Sequence, residues 1–280
     1  MRASVLLFAL LAGCASQQPT TQSGSVSGAS QVIATRDLVD VLKILGEPHK
    51  GRTLLVLDID DTLLTSTTFF GSDAWYEWQQ TLSPQSPGYV PCKFDVIALN
   101  YEAGTQVPTQ DDAVAAINAI PLDKIILTAR SPMYRSGTIR ELKKAGYELP
   151  APLQPAFAGA IYDYQPDPQA RGATVSYHQG VFMVAGQNKG VLLIDLLRHL
   201  QVSYDRVVLV DDGEKNIIAM RDALASAGIA FRGVHYQRIN KDITPQREQE
   251  GIAGWKAWQQ LLSTTYPQRL ERMQAGECAY

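Results

Sequence analysis

Three apolar runs in the sequence end in side chains that are able to take part in catalysis. The run TLLVL is followed by Asp58 and Asp60, KIIL by Thr128, and VVLV by Asp211 and Asp212. A carboxylate can serve as a nucleophile, as a proton donor and acceptor, or as a ligand for a hard cation. One acidic strand end alone is also typical of a helix cap or a solvated turn. Three such ends in one chain are better explained by a shared site.

The same runs define the elements that must position these residues. Continuous apolar runs predict strands buried on both faces, as in a parallel sheet. These strands lie at 53–57, 124–127 and 207–210, with a weaker one at 231–235. Helices are predicted at about 35–45, 111–120, 131–146, 189–200 and 214–227. Such alternation predicts an α/β fold with a doubly wound, mainly parallel sheet, and ligands bind such sheets beyond the carboxyl ends of the strands.

Two segments are longer than ordinary connections between elements. Residues 65–106 are rich in aromatic residues, glycine and proline, and residues 150–186 have the pattern of loops with short strands. Long loops in compact domains are commonly functional. Both segments are therefore predicted to be small cap insertions that cover the site.

Four short motifs carry a resemblance to a known superfamily. The sequence DIDDT, which begins at Asp58, resembles the DxDxT signature of haloacid-dehalogenase (HAD) phosphotransferases. The sequence ILTAR, which ends at Arg130, is similar to their second motif. Lys189, at the start of a predicted helix, resembles the lysine of their third motif in position. The sequence VLVDDGEKN, which ends at Asn216, is similar to their fourth motif. The motifs occur in the family's order, and the resemblance implies a Rossmann-like HAD sheet.

The resemblance also implies catalytic roles for individual residues. Asp58 would be the nucleophile that forms an aspartyl-phosphate, and Asp60 the general acid and base. Thr128 would bind a phosphoryl oxygen, although it could instead cap a helix. Lys189 would fix Asp58 and neutralise charge in the transition state, unless it is a solvated lysine at a helix end. Arg130 is equally compatible with substrate contact and with a surface ion pair.

A Mg²⁺ cofactor is implied by the same resemblance, because oxygen ligands select a hard cation. The expected ligands are Asp58, the backbone carbonyl of Asp60 and one acid of the fourth motif. Asp212 is the preferred acid and Asp211 the alternative. Asn216 then falls outside the first ligand shell, on the substrate side of the site.

Asp60 narrows the chemistry within the superfamily. HAD dehalogenases lack this acid, and P-type ATPases have threonine in its place. The sequence therefore favours a phosphatase that acts on a small phosphate monoester. The alternative is a lipoprotein that keeps the fold as a binding or assembly module, with weak or lost turnover.

The segment GSDAWYEWQ at 71–79 resembles the GSDxWxxWQ stretch of a bacterial HAD-like family of unknown function. Trp75 and Trp78 within it are compatible with stacking on a substrate, but core packing is favoured. The histidines have no metal-ligand spacing and are predicted to be structural; they are His49, His178, His199 and His235.

The N-terminus resembles the signal of a bacterial lipoprotein. A short basic and apolar stretch ends in Leu-Ala-Gly-Cys, with Cys14 as the expected lipidation site, although an ordinary secretory signal is the alternative. This predicts a signal peptide at 1–13, a lipid-anchored flexible tether at 14–33 and a catalytic domain at 34–280. The expected location is the bacterial envelope, on the periplasmic face of the outer membrane.

Charge and cysteine content complete the expectations. The formal net charge is −3 with no run of basic residues, so a nucleic-acid polymer is not an expected partner. The expected partners are a small phosphorylated substrate and, through the N-terminal lipid, a membrane. Cys92 and Cys278 are equally compatible with a disulfide in an oxidising compartment and with two buried thiols.

Overall fold

The strands define the core of this computed structural model, which describes residues 31–166 and 173–279. They are β1 Gln31–Thr35, β2 Thr53–Leu57, β3 Leu64–Ser66, β4 Gln106–Pro108, β5 Asp123–Thr128, β6 Tyr162–Tyr164, β7 Val175–His178, β8 Val181–Met183, β9 Arg206–Asp211 and β10 Ala230–Tyr236. Eight of them form one sheet in the order β1-β10-β9-β2-β5-β8-β7-β6. The strands from β1 to β8 in this order are parallel, β7 is antiparallel to β8, and β6 is antiparallel to β7.

Helices cover both faces of the sheet. They are α1 Asp40–Leu45, α2 Asp73–Thr81, α3 Lys93–Ala103, α4 Val114–Asn118, α5 Arg135–Lys144, α6 Lys189–His199, α7 Glu214–Ser226, α8 Pro245–Thr265 and α9 Pro267–Gln274. Helices α6 and α7 pack on one face, and residues of the other helices pack on the opposite face. The predicted α/β class with a doubly wound, mainly parallel sheet is confirmed.

Strand β2 shows why the central strands have continuous apolar sequences. Leu55 and Leu57 belong to the apolar cluster on one face, and Leu54 and Val56 belong to the cluster on the other. All four side chains are buried. A strand covered on both faces has no solvent-facing positions, so the alternation typical of an antiparallel edge is absent.

The segment 65–106 contributes the two-stranded sheet of β3 and β4 together with α2 and α3. The Ser72 side chain caps α2 by accepting a hydrogen bond from the backbone N–H of Trp75. Trp75 and Trp78 are buried in the core, which confirms the core-packing interpretation. A disulfide joins Cys92, immediately before α3, to Cys278.

Two predictions about element boundaries are wrong. Residues 31–33, assigned to the tether, belong to β1, which pairs in parallel with β10. The helix predicted from residue 35 begins only at Asp40, because Thr35 still lies in that strand. The segment 150–186, predicted as loops with short strands, contains the three short strands β6, β7 and β8, which extend the sheet beyond β5.

Helices α8 and α9 had no counterpart among the predicted elements. These helices pack through Trp255, Leu262 and Met273 against the apolar cluster that also contains buried residues of segment 65–106. The predicted signal peptide at 1–13 and Cys14 lie outside the described residues. Within residues 31–166 and 173–279, no helix is both long and apolar enough to cross a bilayer.

Candidate active site

The predicted residues meet because three neighbouring strands end at the same edge. Strand β2 lies between β9 and β5, and their carboxyl ends carry Asp58, Asp211 and Thr128. The backbone N–H of Asp58 continues the ladder by donating to the carbonyl of Val210 at 3.0 Å. All three of these end residues are buried.

Lys189 links two of the strand ends. Its ammonium donates to Asp58 Oδ1 at 2.5 Å and to Asp211 Oδ2 at 2.7 Å, and its side chain is 1% exposed. The Asn188 side chain caps α6 by accepting from the N–H groups of Gly190 and Val191, which fixes Lys189 at the first helical position. Lys189 is therefore a buried partner of the predicted nucleophile, and the solvated-lysine alternative is wrong.

The two consecutive acids of the fourth motif have different surroundings. Asp211 accepts from Lys189, from the backbone N–H of Gly213 at 2.8 Å and from Asn216 Nδ2 at 2.9 Å. Asp212 is partly exposed, and its carboxylate contacts the Lys241 ammonium at 2.6 Å. Asn216, predicted on the substrate side, thus holds Asp211 in place, and Asp212 is the more exposed of the two acids.

Asp58, Asp211 and Asp212 can each offer an oxygen to one point, with the oxygens within 4.8 Å of one another. Burial, reinforced by neighbouring acids, raises the pKa of Asp58 well above its usual value even though Lys189 opposes the shift. Burial and the charge of Asp211 likewise raise the pKa of Asp212 to about 7. The cluster therefore has more buried carboxyl groups than Lys189 alone can keep ionised, and an all-oxygen set of this kind fits a hard divalent cation.

Two threonine hydroxyls lie beside these acids. Thr62 Oγ1 donates to Asp58 Oδ2 at 3.4 Å and accepts from the backbone N–H of Asp212 at 3.0 Å, so it connects the first and fourth motifs. Thr128 Oγ1 accepts from the backbone N–H of Arg130 at 3.1 Å. Thr128 thus organises the turn after β5, while Ser131 is the residue that caps the following helical turn.

Arg130 forms a buried ion pair with the predicted general acid. Its Nη2 and Nε atoms donate to the carboxylate of Asp60 at 2.7 and 3.0 Å, and Nη1 donates to Thr138 at 3.1 Å. The guanidinium lies 3.7 Å from the ring centroid of Tyr101, whose hydroxyl is 3.5 Å from Asp60. The interpretation of Arg130 as a surface ion pair is wrong, because its side chain is 1% exposed.

Lys241 is a residue of the site that the sequence patterns did not indicate. Its ammonium contacts Asp73 and Asp212 directly and lies 3.5 Å from Asp61 and 3.6 Å from Glu77. Burial raises the pKa of Asp73 to about 6, and Lys241 opposes that shift. Because Asp73 and Glu77 belong to α2, Lys241 joins the cap to the acidic edge of the sheet.

A cavity of about 310 Å³ opens beside Asp60 and Arg130 and is bounded by the cap. A larger cavity of about 910 Å³ lies at the opposite edge, near the amino ends of β9 and β10. None of the predicted site residues lines the larger cavity. The smaller one is the candidate substrate pocket, since open α/β sheets bind ligands beyond the carboxyl ends of their strands.

The fold and the site together define an α/β protein with a buried carboxylate–lysine cluster at the carboxyl edge of its sheet. The chain belongs to the family described as protein of unknown function (DUF2608), whose model matches residues 34–268. This agrees with the prediction, from the GSDAWYEWQ segment, of membership in a family of unknown function.

Comparison with solved structures gives a similarity to the class C acid phosphatase from Bacillus anthracis, a structure with tungstate bound. The identity is 13%, the match covers 77% of this chain and 85% of that one, and the TM-score is 0.35. A similarity this low does not establish a shared function. No curated protein matches the chain.

Proposed function

We propose that this protein is a Mg²⁺-dependent phosphohydrolase that cleaves small phosphate monoesters through an aspartyl-phosphate. The observation that carries the proposal is the buried arrangement of Asp58, Lys189 and Asp211. Burying two carboxylates and an ammonium adds little to the stability of a fold, because desolvation offsets much of their attraction. The arrangement therefore indicates a purpose other than stability. A nucleophile held against a fixed cation at a ligand-binding edge is such a purpose.

The steps follow from the positions of the two acids. A carboxylate oxygen of Asp58 attacks phosphorus, and the bond from phosphorus to the leaving oxygen breaks as Asp60 delivers a proton to that oxygen. Asp60 then takes a proton from water, and the water oxygen attacks the phosphorus of the acyl phosphate. The bond to Asp58 breaks, and inorganic phosphate and the free carboxylate are restored. Lys189 holds Asp58 in position and offsets negative charge in both steps.

The residues that would hold Mg²⁺ are Asp58 and Asp212, with the backbone carbonyl of Asp60 as the third oxygen. Asp211 is less suited because Lys189, Asn216 and a backbone N–H already occupy its oxygens. Bound there, the cation would screen the charge between the carboxylates and the phosphate. Lys241, which contacts Asp212, must then give up part of this contact.

The location outside the cytoplasm is part of the same proposal. The Leu-Ala-Gly-Cys sequence that ends at Cys14 supports a lipid anchor, and several acyl chains would hold the protein stably at a membrane. The disulfide between Cys92 and Cys278 supports an oxidising compartment, because such bonds persist there and are rare in the cytosol.

The test is hydrolysis of 4-nitrophenyl phosphate with and without Mg²⁺, in the wild type and in Asp58→Asn. Asparagine keeps the shape of the side chain and removes the nucleophilic charge, so a loss of at least about a thousandfold is expected. Chelation of the metal should also abolish turnover. Asp222→Asn, on the exposed face of α7, is the matched control and should keep full activity.

If the wild type and Asp58→Asn are equally inactive over a broad panel of phosphate esters, the proposed enzymatic activity is refuted. The protein would then be a binding or assembly module on the same fold. A folded Asp58→Asn protein that keeps the activity of the wild type would refute Asp58 as the nucleophile.

A further inference from the structure

The cavity beside Asp60 has aromatic and apolar walls. Its side-chain lining includes Tyr76, Phe94, Ile97, Tyr101, Met133 and Tyr134. Its volume of about 310 Å³ is at the lower end of the range for small-molecule sites. Such a volume suits a group of one or two rings.

The rings are arranged in two groups. Tyr76 of α2 and Phe94 of α3 lie with their centroids 5.8 Å apart and their planes tilted by 36°. Tyr101 and Tyr134 make an edge-to-face contact at 5.4 Å. Phe94 is 42% exposed and Met133 is 61% exposed, although both belong to the lining of a concave site. Large apolar side chains left open in a cavity beside a candidate active site are typical of ligand contact.

Asp60 determines which part of a substrate enters this cavity. A general acid must lie within hydrogen-bond distance of the leaving oxygen, and the carboxylate of Asp60 is part of the cavity lining. The group bonded to that oxygen therefore extends between the aromatic walls. The phosphoryl group stays at the strand ends with Asp58 and Lys189.

The charges in the lining restrict the leaving group further. Asp60 and Asp73 are the acids, and Arg130 is the cation. Arg130 is already engaged by Asp60 through two of its nitrogens. No other lysine or arginine is among the lining residues that the structure describes. The Lys93 ammonium, outside that lining, lies 5.3 Å from the Tyr76 centroid and 5.7 Å from the Phe94 centroid, in contact with the rings. A second anionic group inside the cavity would therefore meet mainly acids and rings.

We propose that the leaving group of the natural substrate is an uncharged aromatic ring system, held against the Tyr76–Phe94 pair. This inference rests on the proposed phosphohydrolase activity and adds the chemical class of its substrate. Aromatic groups are favoured because their offset and edge contacts with protein rings add to the burial of their area.

The first measurement compares substrates whose leaving alcohols have similar acidity. Benzyl phosphate carries a ring, n-butyl phosphate carries none, and 4-carboxybenzyl phosphate adds a negative charge. We expect kcat/KM for benzyl phosphate to exceed that for n-butyl phosphate by about threefold to tenfold. The carboxylated ester should fall below benzyl phosphate by a similar factor.

The variants test which residues produce the preference. Phe94→Leu keeps an apolar side chain and removes the ring, and Tyr76→Ala opens the other half of the pair. Each should raise KM for benzyl phosphate severalfold and leave KM for n-butyl phosphate nearly unchanged. Tyr266→Ala is the matched control, because this 63% exposed aromatic residue lies outside the cavity lining.

Calorimetric binding separates this proposal from the proposed activity. Benzylphosphonate should bind the wild type with Mg²⁺ more tightly than n-butylphosphonate, and Phe94→Leu should remove the difference. Absence of turnover with this binding preference intact would refute the hydrolase and support the aromatic pocket. Equal binding of the two phosphonates, a preference unchanged in Phe94→Leu and Tyr76→Ala, or a preference for the carboxylated ester would overturn the proposal.

Discussion

Replacing Lys241 by methionine removes the cation that lies among four acids at the edge of the site. The ammonium contacts Asp212 at 2.6 Å, touches Asp73, and is within 3.6 Å of Asp61 and Glu77. Methionine retains most of the side-chain length and apolar stem, so the change is mainly electrostatic. Three carboxylates, with oxygens within 4.8 Å of one another, then lose the charge of Lys241; they belong to Asp61, Asp73 and Asp212.

The expected loss of stability follows from the burial of this network. Removing one partner of a fully buried ion pair costs about 3–5 kcal/mol. The Lys241 side chain is 24% exposed, and solvent screening lowers the expected cost to about 2 kcal/mol. For a domain of this size, that corresponds to a fall in Tm of about 4–8 °C in chelator. Saturating Mg²⁺ should restore at least half of the loss, because a divalent cation supplies the missing charge.

The loss should also depend on pH. Asp73 and Asp212 have native pKa values raised by burial to about 6 and about 7, so the folded state holds protons that the unfolded state has lost. The metal-free protein should therefore lose stability as the pH rises from about 4 to about 7. Removing Lys241 raises both pKa values further, so the deficit of the variant should be larger at pH 8 than at pH 5.

The assay is thermal unfolding by circular dichroism, in chelator and in Mg²⁺, at both pH values. Lys215→Met is the matched control, because Lys215 is exposed on α7. A Lys241→Met protein as stable as the wild type in chelator would refute this account of the acidic network. Equal stabilisation of the wild type and the variant by Mg²⁺ would show that Lys241 and the metal do not share a site.

Two further results are expected. Arg130→Lys loses the two-point contact with Asp60, so turnover of benzyl phosphate should fall at least about tenfold. Turnover of 4-nitrophenyl phosphate should fall much less, because its leaving group needs little protonation. Equal losses for both esters would contradict a role of Arg130 in positioning the acid. Cys278→Ser removes the disulfide to Cys92, which spans 186 residues, and should lower the free energy of unfolding by about 2–5 kcal/mol. Denaturant titration measures this change. An unchanged midpoint of unfolding would show that the other contacts of the tail hold it in place.

Residues at strand ends were accessible from the sequence. Asp58, Thr128 and Asp211 follow apolar runs, and strands buried on both faces must be apolar throughout, so the position where polarity returns marks the edge of the sheet. The structure brings all three together. Their motif order also indicated Lys189, whose position at the start of a helix is a local feature of the chain.

The partners of these residues were not accessible in the same way. Lys241 lies in an irregular segment after β10, and no periodicity relates it to Asp73, 168 residues earlier in the chain. Tyr101 reaches Arg130 from a cap helix whose placement depends on tertiary packing. Contacts between a loop and a cap are set by the folded arrangement, and local patterns do not encode them.

The errors in the fold have a similar cause. Short strands were predicted within 150–186, but the place of β7 and β8 in the sheet depends on their pairing next to β5, which no local pattern indicates. Helix α8 did carry a local signal, since Thr244 caps it and Pro245 occupies its first turn. That start signal lies beyond the last predicted strand.

The disulfide makes the wall of the cavity depend on the C-terminal tail. Cys92 immediately precedes α3, which carries the Phe94 wall of the cavity, and Asp95 of the same helix contacts Arg269 and accepts from the backbone N–H of Ala279. The wall is thus fixed by residues about 180 positions further along the chain. The cluster of Asp58, Asp211 and Asp212 does not include these tail residues. Selectivity for the leaving group should therefore be lost before the catalytic cluster when the tail is cut.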